Sequence, residues 1–154
     1  MKKQKRTFLL DVNLVLAILD PAHDHHVTAQ WWFNDTGRTS FATCPVTENG
    51  VLRIASSAAY PNRAGDVDTV RRILGRLCSQ DGHAFWPDSI SLRIAAPEVS
   101  GMRSNEVTDL YLLALAKENG GVFVTFDSRI RAERLAAADH LLVLVQQKIT
   151  PERV

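Results

Sequence analysis

The sequence predicts an α/β fold with a mainly parallel central sheet. Three observations lead there. Short apolar runs alternate along the chain with stretches of helical spacing, the pattern of strand–helix–strand units. Two of those runs, Thr7-Phe8-Leu9-Leu10 and Val122-Phe123-Val124-Thr125-Phe126, read as buried strands, and each ends directly in an aspartate, Asp11 and Asp127. The chain has 154 residues, 45% of them hydrophobic and 23% charged, which suits one domain over residues 1–154 with a core of ordinary size.

The elements follow in order. After the first strand, Asn13 is placed to cap a helix through Leu14, Val15, Ala17, Ile18 and Leu19, stopped by Asp20-Pro21. A second helix is expected over about residues 24–33, leaving through Asn34-Asp35-Thr36-Gly37. Residues 39–43 read as the next strand, and Pro45 suits the first position of a helix that runs to about Ser57. Pro61-Asn62-Arg63-Ala64-Gly65 is a loop. Val67, Val70, Ile73, Leu74 and Leu77 form one helical stripe. His83-Ala84-Phe85-Trp86 is a short strand closed by Pro87. Residues 105–119 make a helix ended by Gly120-Gly121. A strand over residues 122–126, a short helix and a last strand over residues 141–145 complete the chain. Sheets of this kind bind ligands beyond the carboxyl ends of their strands.

Composition narrows the function classes. The formal net charge is +1, so overall charge favours neither nucleic acid nor its absence. Basic clusters at residues 2–6, at Arg71, Arg72 and Arg76, and at Arg129, Arg131 and Arg134 each read alone as solvated faces. No apolar run approaches bilayer length, and the basic start is followed by an apolar stretch that Asp11 interrupts at once, which argues against a secretory signal. Cys44 and Cys78 lie far apart, form no metal-type pair, and read as reduced thiols of a cytoplasmic protein.

Four acids then stand out. Asp11 and Asp127 follow buried strands, so both belong on the carboxyl edge of the sheet. Glu48, Val51, Leu52 and Ala55 have i, i+3, i+4, i+7 spacing, and Asp109, Leu112, Leu113 and Ala116 repeat it. Each of those acids shares a helix face with core residues near the start of its helix. The helix dipole favours an acid there by only roughly 0.3–1 kcal/mol, whereas burying an unpaired carboxylate costs several. Taken singly, each acid is a cap or first-turn residue. Taken together, two from strand ends and two from inward-facing helix starts converge on one edge of the sheet. Their mutual repulsion calls for a divalent cation. All-oxygen ligands select a hard one, Mg²⁺ or Mn²⁺, of the kind that hydrolyses phosphate esters.

At these residues the sequence resembles the PIN-domain family, and within it the VapC-type toxins of toxin–antitoxin pairs. The matching segments are Leu9-Leu10-Asp11-Val12-Asn13, Thr47-Glu48-Asn49-Gly50-Val51-Leu52-Arg53, Thr108-Asp109-Leu110-Tyr111-Leu112 and Val124-Thr125-Phe126-Asp127, in the family's order and over essentially the whole chain. Only Leu110 departs, standing where small residues are common. The resemblance implies a PIN-like α/β/α sandwich and Mg²⁺- or Mn²⁺-dependent endoribonuclease cleavage of RNA. Asp11 and Asp109 would be the principal metal ligands. Glu48 and Asp127 would complete the acidic cluster, with Asp127 also a ligand, and Asn13 would support the first acid. It also implies a cognate antitoxin that blocks the site, and a homodimer.

Other features are weighed beside these. Arg53, five positions after Glu48, faces away from the acid's stripe and could meet RNA phosphate or the antitoxin. Arg129 and Arg131 could hold a phosphate beside the metal. His23, His25 and His26 read as structural, because adjacent helical residues point about 100° apart and suit a tetrahedral zinc shell poorly. Trp31 is expected to pack with Val27. Asp88, in Phe85-Trp86-Pro87-Asp88, reads as a turn or cap. Two alternatives are carried forward: a phosphatase with Asp11 as nucleophile, which lacks the second acid expected two residues later, and a non-catalytic PIN-fold binding module.

Overall fold

In the computed structural model, which describes residues 5–96 and 98–146, five short parallel strands form one sheet. They are β1 (Phe8–Leu10), β2 (Phe41–Thr43), β3 (His83–Phe85), β4 (Val122–Thr125) and β5 (Leu141–Val143), in the order β3-β2-β1-β4-β5. Phe8 pairs with Phe41 on one side and with Val122 on the other, so β1 is central. The helices are α1 (Val12–Leu19), α2 (His26–Asp35), α3 (Pro45–Ala55), α4 (Val67–Cys78), α5 (Leu92–Ala95) and α6 (Val107–Glu118). Lys2 and Lys3, from the basic start, lie outside the described residues.

Both faces of the sheet are covered, which is why its strands read as continuous apolar runs. Alternate strand residues feed two cores. Leu10, Phe41, Val122 and Val124 pack with Leu14, Trp32, Val51 and Leu74 of α1 to α4. Leu9, Ala42 and Phe123 pack with Leu112, Leu113 and Leu115 of α6. The chain runs outward from β1 through β2 to β3, then crosses back to β4 on the other side of β1. That reversal opens a crevice at the carboxyl ends of β1 and β4, where doubly wound sheets place their sites.

Several local details differ from the sequence-based expectations. The cap of α1 is Asp11, not Asn13: Val12 N–H donates to Asp11 Oδ1 at 2.7 Å, so the helix starts two residues earlier and Asn13 is its exposed second residue. The strand expected over residues 39–43 begins only at Phe41, because Gly37–Thr39 forms a one-turn 3-10 helix. A similar turn, Ser104–Glu106, precedes α6, and the short helix after Asp127 is also 3-10, Ala132–Leu135. The four-residue α5 carries too few residues to show a period. Trp32 is the core tryptophan, edge-on to Phe8 at 5.4 Å, whereas Trp31 and Val27 are 58% and 59% exposed. Gly120 takes the left-handed conformation just past α6, with φ 66°, where glycine carries no Cβ penalty. Among the described residues no helix is long and apolar enough to cross a membrane.

Candidate active site

Asp11 ends β1 and caps α1 at once. Its residue is 7% exposed, and its second carboxylate oxygen, Oδ2, accepts a hydrogen bond from Thr125 Oγ1 at 2.7 Å. Burial pushes the Asp11 carboxyl above the usual range. The bonds from Thr125 and Val12 oppose that shift, and the charge of Asp127 adds to it. The neighbour that steadies Asp11 is therefore Thr125, on β4, rather than Asn13.

Asp109 enters from the first turn of α6, held inward by Leu112, Leu113 and Ala116, all fully buried. Its pKa is raised to about 6, first by burial and then by the negative charges of Asp11 and Asp127, with Arg129 opposing. Asp127 follows β4 and turns back, its N–H donating to Thr125 Oγ1 at 3.1 Å. Arg129 grips it as a fork, Nε to Oδ1 and a terminal nitrogen to Oδ2, both at 3.0 Å. This pairing holds the Asp127 carboxyl below its ordinary value. So Asp11, Asp109 and Asp127 form one electrostatic group at the crevice between β1 and β4.

Glu48 lies on the other side of β1. Its helix is fixed there by Thr47, whose hydroxyl donates to Leu10 C=O at 3.4 Å, and by Gly50, whose missing Cβ leaves room for Val12. The Glu48 carboxylate turns toward the end of β2, where it accepts from Thr43 Oγ1 at 2.7 Å. The same Thr43 oxygen lies 2.7 Å from His83 Nε2 and 3.9 Å from Cys78 Sγ. Since the carboxylate takes the hydroxyl proton, His83 Nε2 is the donor to Thr43. Burial lowers the His83 pKa and raises that of the Cys78 thiol. Cys44 and Cys78 are both free.

The remaining residues singled out in the sequence are spread more widely. Arg129 and Arg131 line a cleft of about 430 Å³ with Asp109, Asp127, Arg103 and Arg134. Arg131 pairs with Glu106 at 3.0 Å. Arg53 is exposed on α3 and faces a separate depression with Tyr60 and Pro61. His25 stacks on Phe126 at 4.5 Å and His26 Nδ1 meets Ala17 C=O at 2.7 Å, both packing roles. Asp88 accepts from the Tyr111 hydroxyl, which ties the segment after β3 to α6. Thr43, Thr125, Cys78 and His83 escaped the sequence reading. The signal available for the two threonines was a hydroxyl closing an otherwise apolar strand.

Acids at a switch-point crevice, beneath a two-cored parallel sheet, define a class, and comparison with known proteins agrees. The PIN domain model matches residues 8–136. Ribonuclease VapC39 of Mycobacterium tuberculosis (strain H37Rv) is 38% identical over 126 residues, covering 80% of this chain and 91% of that protein. Ribonuclease VapC44 of the same strain is 36% identical over 140 residues, covering 88% and 98%. The crystal structure of VapBC2 from Rickettsia felis bound to a DNA fragment from their promoter matches with a TM-score of 0.58 at 11% identity, covering 90% of this chain and 99% of that one. The chain belongs to the PIN domain family, in its VapC group.

Proposed function

We propose that the protein is a Mg²⁺- or Mn²⁺-dependent endoribonuclease that acts as the toxin of a toxin–antitoxin pair. One observation carries the reading: Asp11 ends β1, Asp127 follows β4 and Asp109 stands in the first turn of α6, near enough for the charges of Asp11 and Asp127 to add to burial, the larger cause, in raising the Asp109 pKa to about 6. The donor set fits a hard cation, being carboxylate oxygen throughout. Asp11, Asp109 and Asp127 would hold the ion, which when bound polarises a phosphodiester and lowers the pKa of a water.

The chain's own residues do the rest. Thr125 orients the Asp11 carboxylate, leaving each of its oxygens a further lone pair. Arg129, Arg131, Arg103 and Arg134 line the adjoining cleft and suit the phosphates of a bound strand. Arg129, which forks onto Asp127 at 3.0 Å, would compete with a cation for that carboxylate. Glu48, fixed by Thr43, completes the acidic edge from the β2 side. The relatives' names supply the substrate class, RNA, and the VapBC2 pair suggests a VapB-like antitoxin as partner. Arg53 is a candidate contact for RNA or that antitoxin, and a homodimer is the expected assembly.

The phosphatase reading is weaker. Position 13 is Asn where a second acid is expected, and the two described lysines bind backbone carbonyls, Lys5 to Thr39 and Lys117 to Leu135. The test is cleavage of RNA by the purified chain with Mg²⁺ or Mn²⁺. Asp11→Ala and Asp109→Ala should each abolish it with an unchanged circular dichroism spectrum. Undiminished cleavage in EDTA would overturn the mechanism, and phospho-aspartate trapped at Asp11 would restore the phosphatase.

A further inference from the structure

The side-chain group around Thr43 has a chemistry of its own. Glu48, Cys78 and His83 each offer one ligand atom, and these atoms lie within 4.8 Å of one another. It is the one such group among the described residues. A tetrahedral zinc shell places its ligands roughly 3.3–3.8 Å apart, given bond lengths of about 2.0–2.3 Å. Closing the group on an ion therefore takes ligand-atom shifts of about an ångström and exchanges the bonds of Glu48 and His83 to Thr43 for bonds to the ion.

The backbone positions are fixed. Glu48 stands in the first turn of α3, one turn before fully buried Val51. Cys78 is the last residue of α4 and follows buried Leu77. His83 opens β3 in register with Phe41, and its ring lies 5.3 Å from that of Phe41. All three side chains are half-buried, open enough for an ion to enter.

Hydrogen bonding accounts for Glu48, Thr43 and His83, whereas Cys78 packs its side chain against the core beneath α4 and leaves its sulfur only a loose contact with the group. The chain from His83 through Thr43 to Glu48 is complete without the thiol, whose contact with Thr43 is a weak 3.9 Å. A thiolate, an imidazole and a carboxylate make a borderline-to-soft set. That set selects Zn²⁺ over the hard ions suited to the three aspartates.

We propose that Glu48, Cys78 and His83 form a second metal site, for a Zn²⁺-class ion, whose filling takes the Glu48 carboxylate from the acidic edge and inhibits cleavage. On binding, the Cys78 thiol loses its proton to solvent, and His83 ligates as the neutral imidazole: Nε2 gives up its bond to Thr43, its proton passes through solvent to Nδ1, and the freed lone pair goes to the ion. The inhibition rests on the nuclease reading above; the binding does not.

Co²⁺ is the probe, titrated into the reduced full chain with Mg²⁺ in excess to occupy the aspartates. The expected result is a thiolate-to-cobalt charge-transfer band with tetrahedral d–d absorption. The charge-transfer band should vanish in Cys78→Ala, and cobalt affinity should weaken at least about tenfold in Cys78→Ala and in His83→Gln, since even residues behind the ligands cost 10–100-fold. Fully buried Cys44 permits a second measurement on the unaltered protein. Zn²⁺ should slow the reaction of Cys78 with a thiol reagent in the native state. Absence of the charge-transfer band, or Cys78 reactivity indifferent to Zn²⁺, overturns the site. In the activity arm, Zn²⁺ should inhibit Mg²⁺-driven RNA cleavage, at least about tenfold less potently in Cys78→Ala. Equal potency overturns the inhibitory role and points to displacement at the aspartates. If the chain cleaves no RNA at all, the nuclease reading fails while the cobalt spectrum still decides the site.

Discussion

Thr43 and Thr125 close the two strands that flank β1, and each gives its hydroxyl proton to a carboxylate of another element at 2.7 Å. Thr125→Val should keep the fold and weaken Mn²⁺ binding about 10–100-fold, as loss of a residue supporting a ligand does; isothermal titration reads it. Asp109 gives a pH prediction. Its folded pKa of about 6 lies above the ordinary 3.8, so between those values the folded chain holds more protons than the unfolded one. Stability from this group is therefore present at low pH and lost as pH rises through about 6. Metal-free Asp109→Asn should accordingly melt higher than the parent at neutral pH, with the difference vanishing toward pH 4, by calorimetry in EDTA. Metal binding runs the other way, because it needs the carboxylate, and should fall off below about pH 6. Arg129→Gln should tighten Mn²⁺ binding only a few-fold, since the Arg129 side chain is 83% exposed and solvent screens such pairs.

At the scale of elements, the apolar runs at β1 and β4 were legible because both their faces are buried, which leaves little room for polar residues. The faces of α3 and α6 were legible for the same reason, since Val51, Leu112 and Leu113 had to lie inward. The cap of α1 was misread because Asp11 and Asn13 are both good capping residues, and only the path of the chain off β1 decides between them. The approach of β3 to β2 depends on Gly82. A Cβ there would overlap the carbonyl oxygen of Arg38, and Phe41 N–H donates to Gly82 C=O at 2.9 Å. Backbone cannot rotate out of the way as a side chain can. Gly82→Ala should cost about 1–3 kcal/mol in urea unfolding.

For the whole molecule, the order β3-β2-β1-β4-β5 sets β1 beside β4 and so brings Asp11 to Asp109 and Asp127, which lie far along the chain from it. A cation that binds this arrangement and not the unfolded chain must stabilise the fold. At a hundred times its dissociation constant, Mg²⁺ should add about 2.7 kcal/mol and raise Tm by roughly 5–10 °C, reversed by EDTA. A Tm indifferent to Mg²⁺ and Mn²⁺ would count against metal binding at the aspartates. The sequence by itself determined the α/β class, the strand-end positions of Asp11 and Asp127, and the inward faces that carry Glu48 and Asp109, because periodicity and burial act locally along the chain. Only the tertiary structure decided which groups meet. It grouped three aspartates on one side of β1 and turned the Glu48 carboxylate to Thr43, His83 and Cys78 on the other. Those meetings depend on strand order and on which way each side chain turns at the sheet's edge, and neither leaves a period in the sequence.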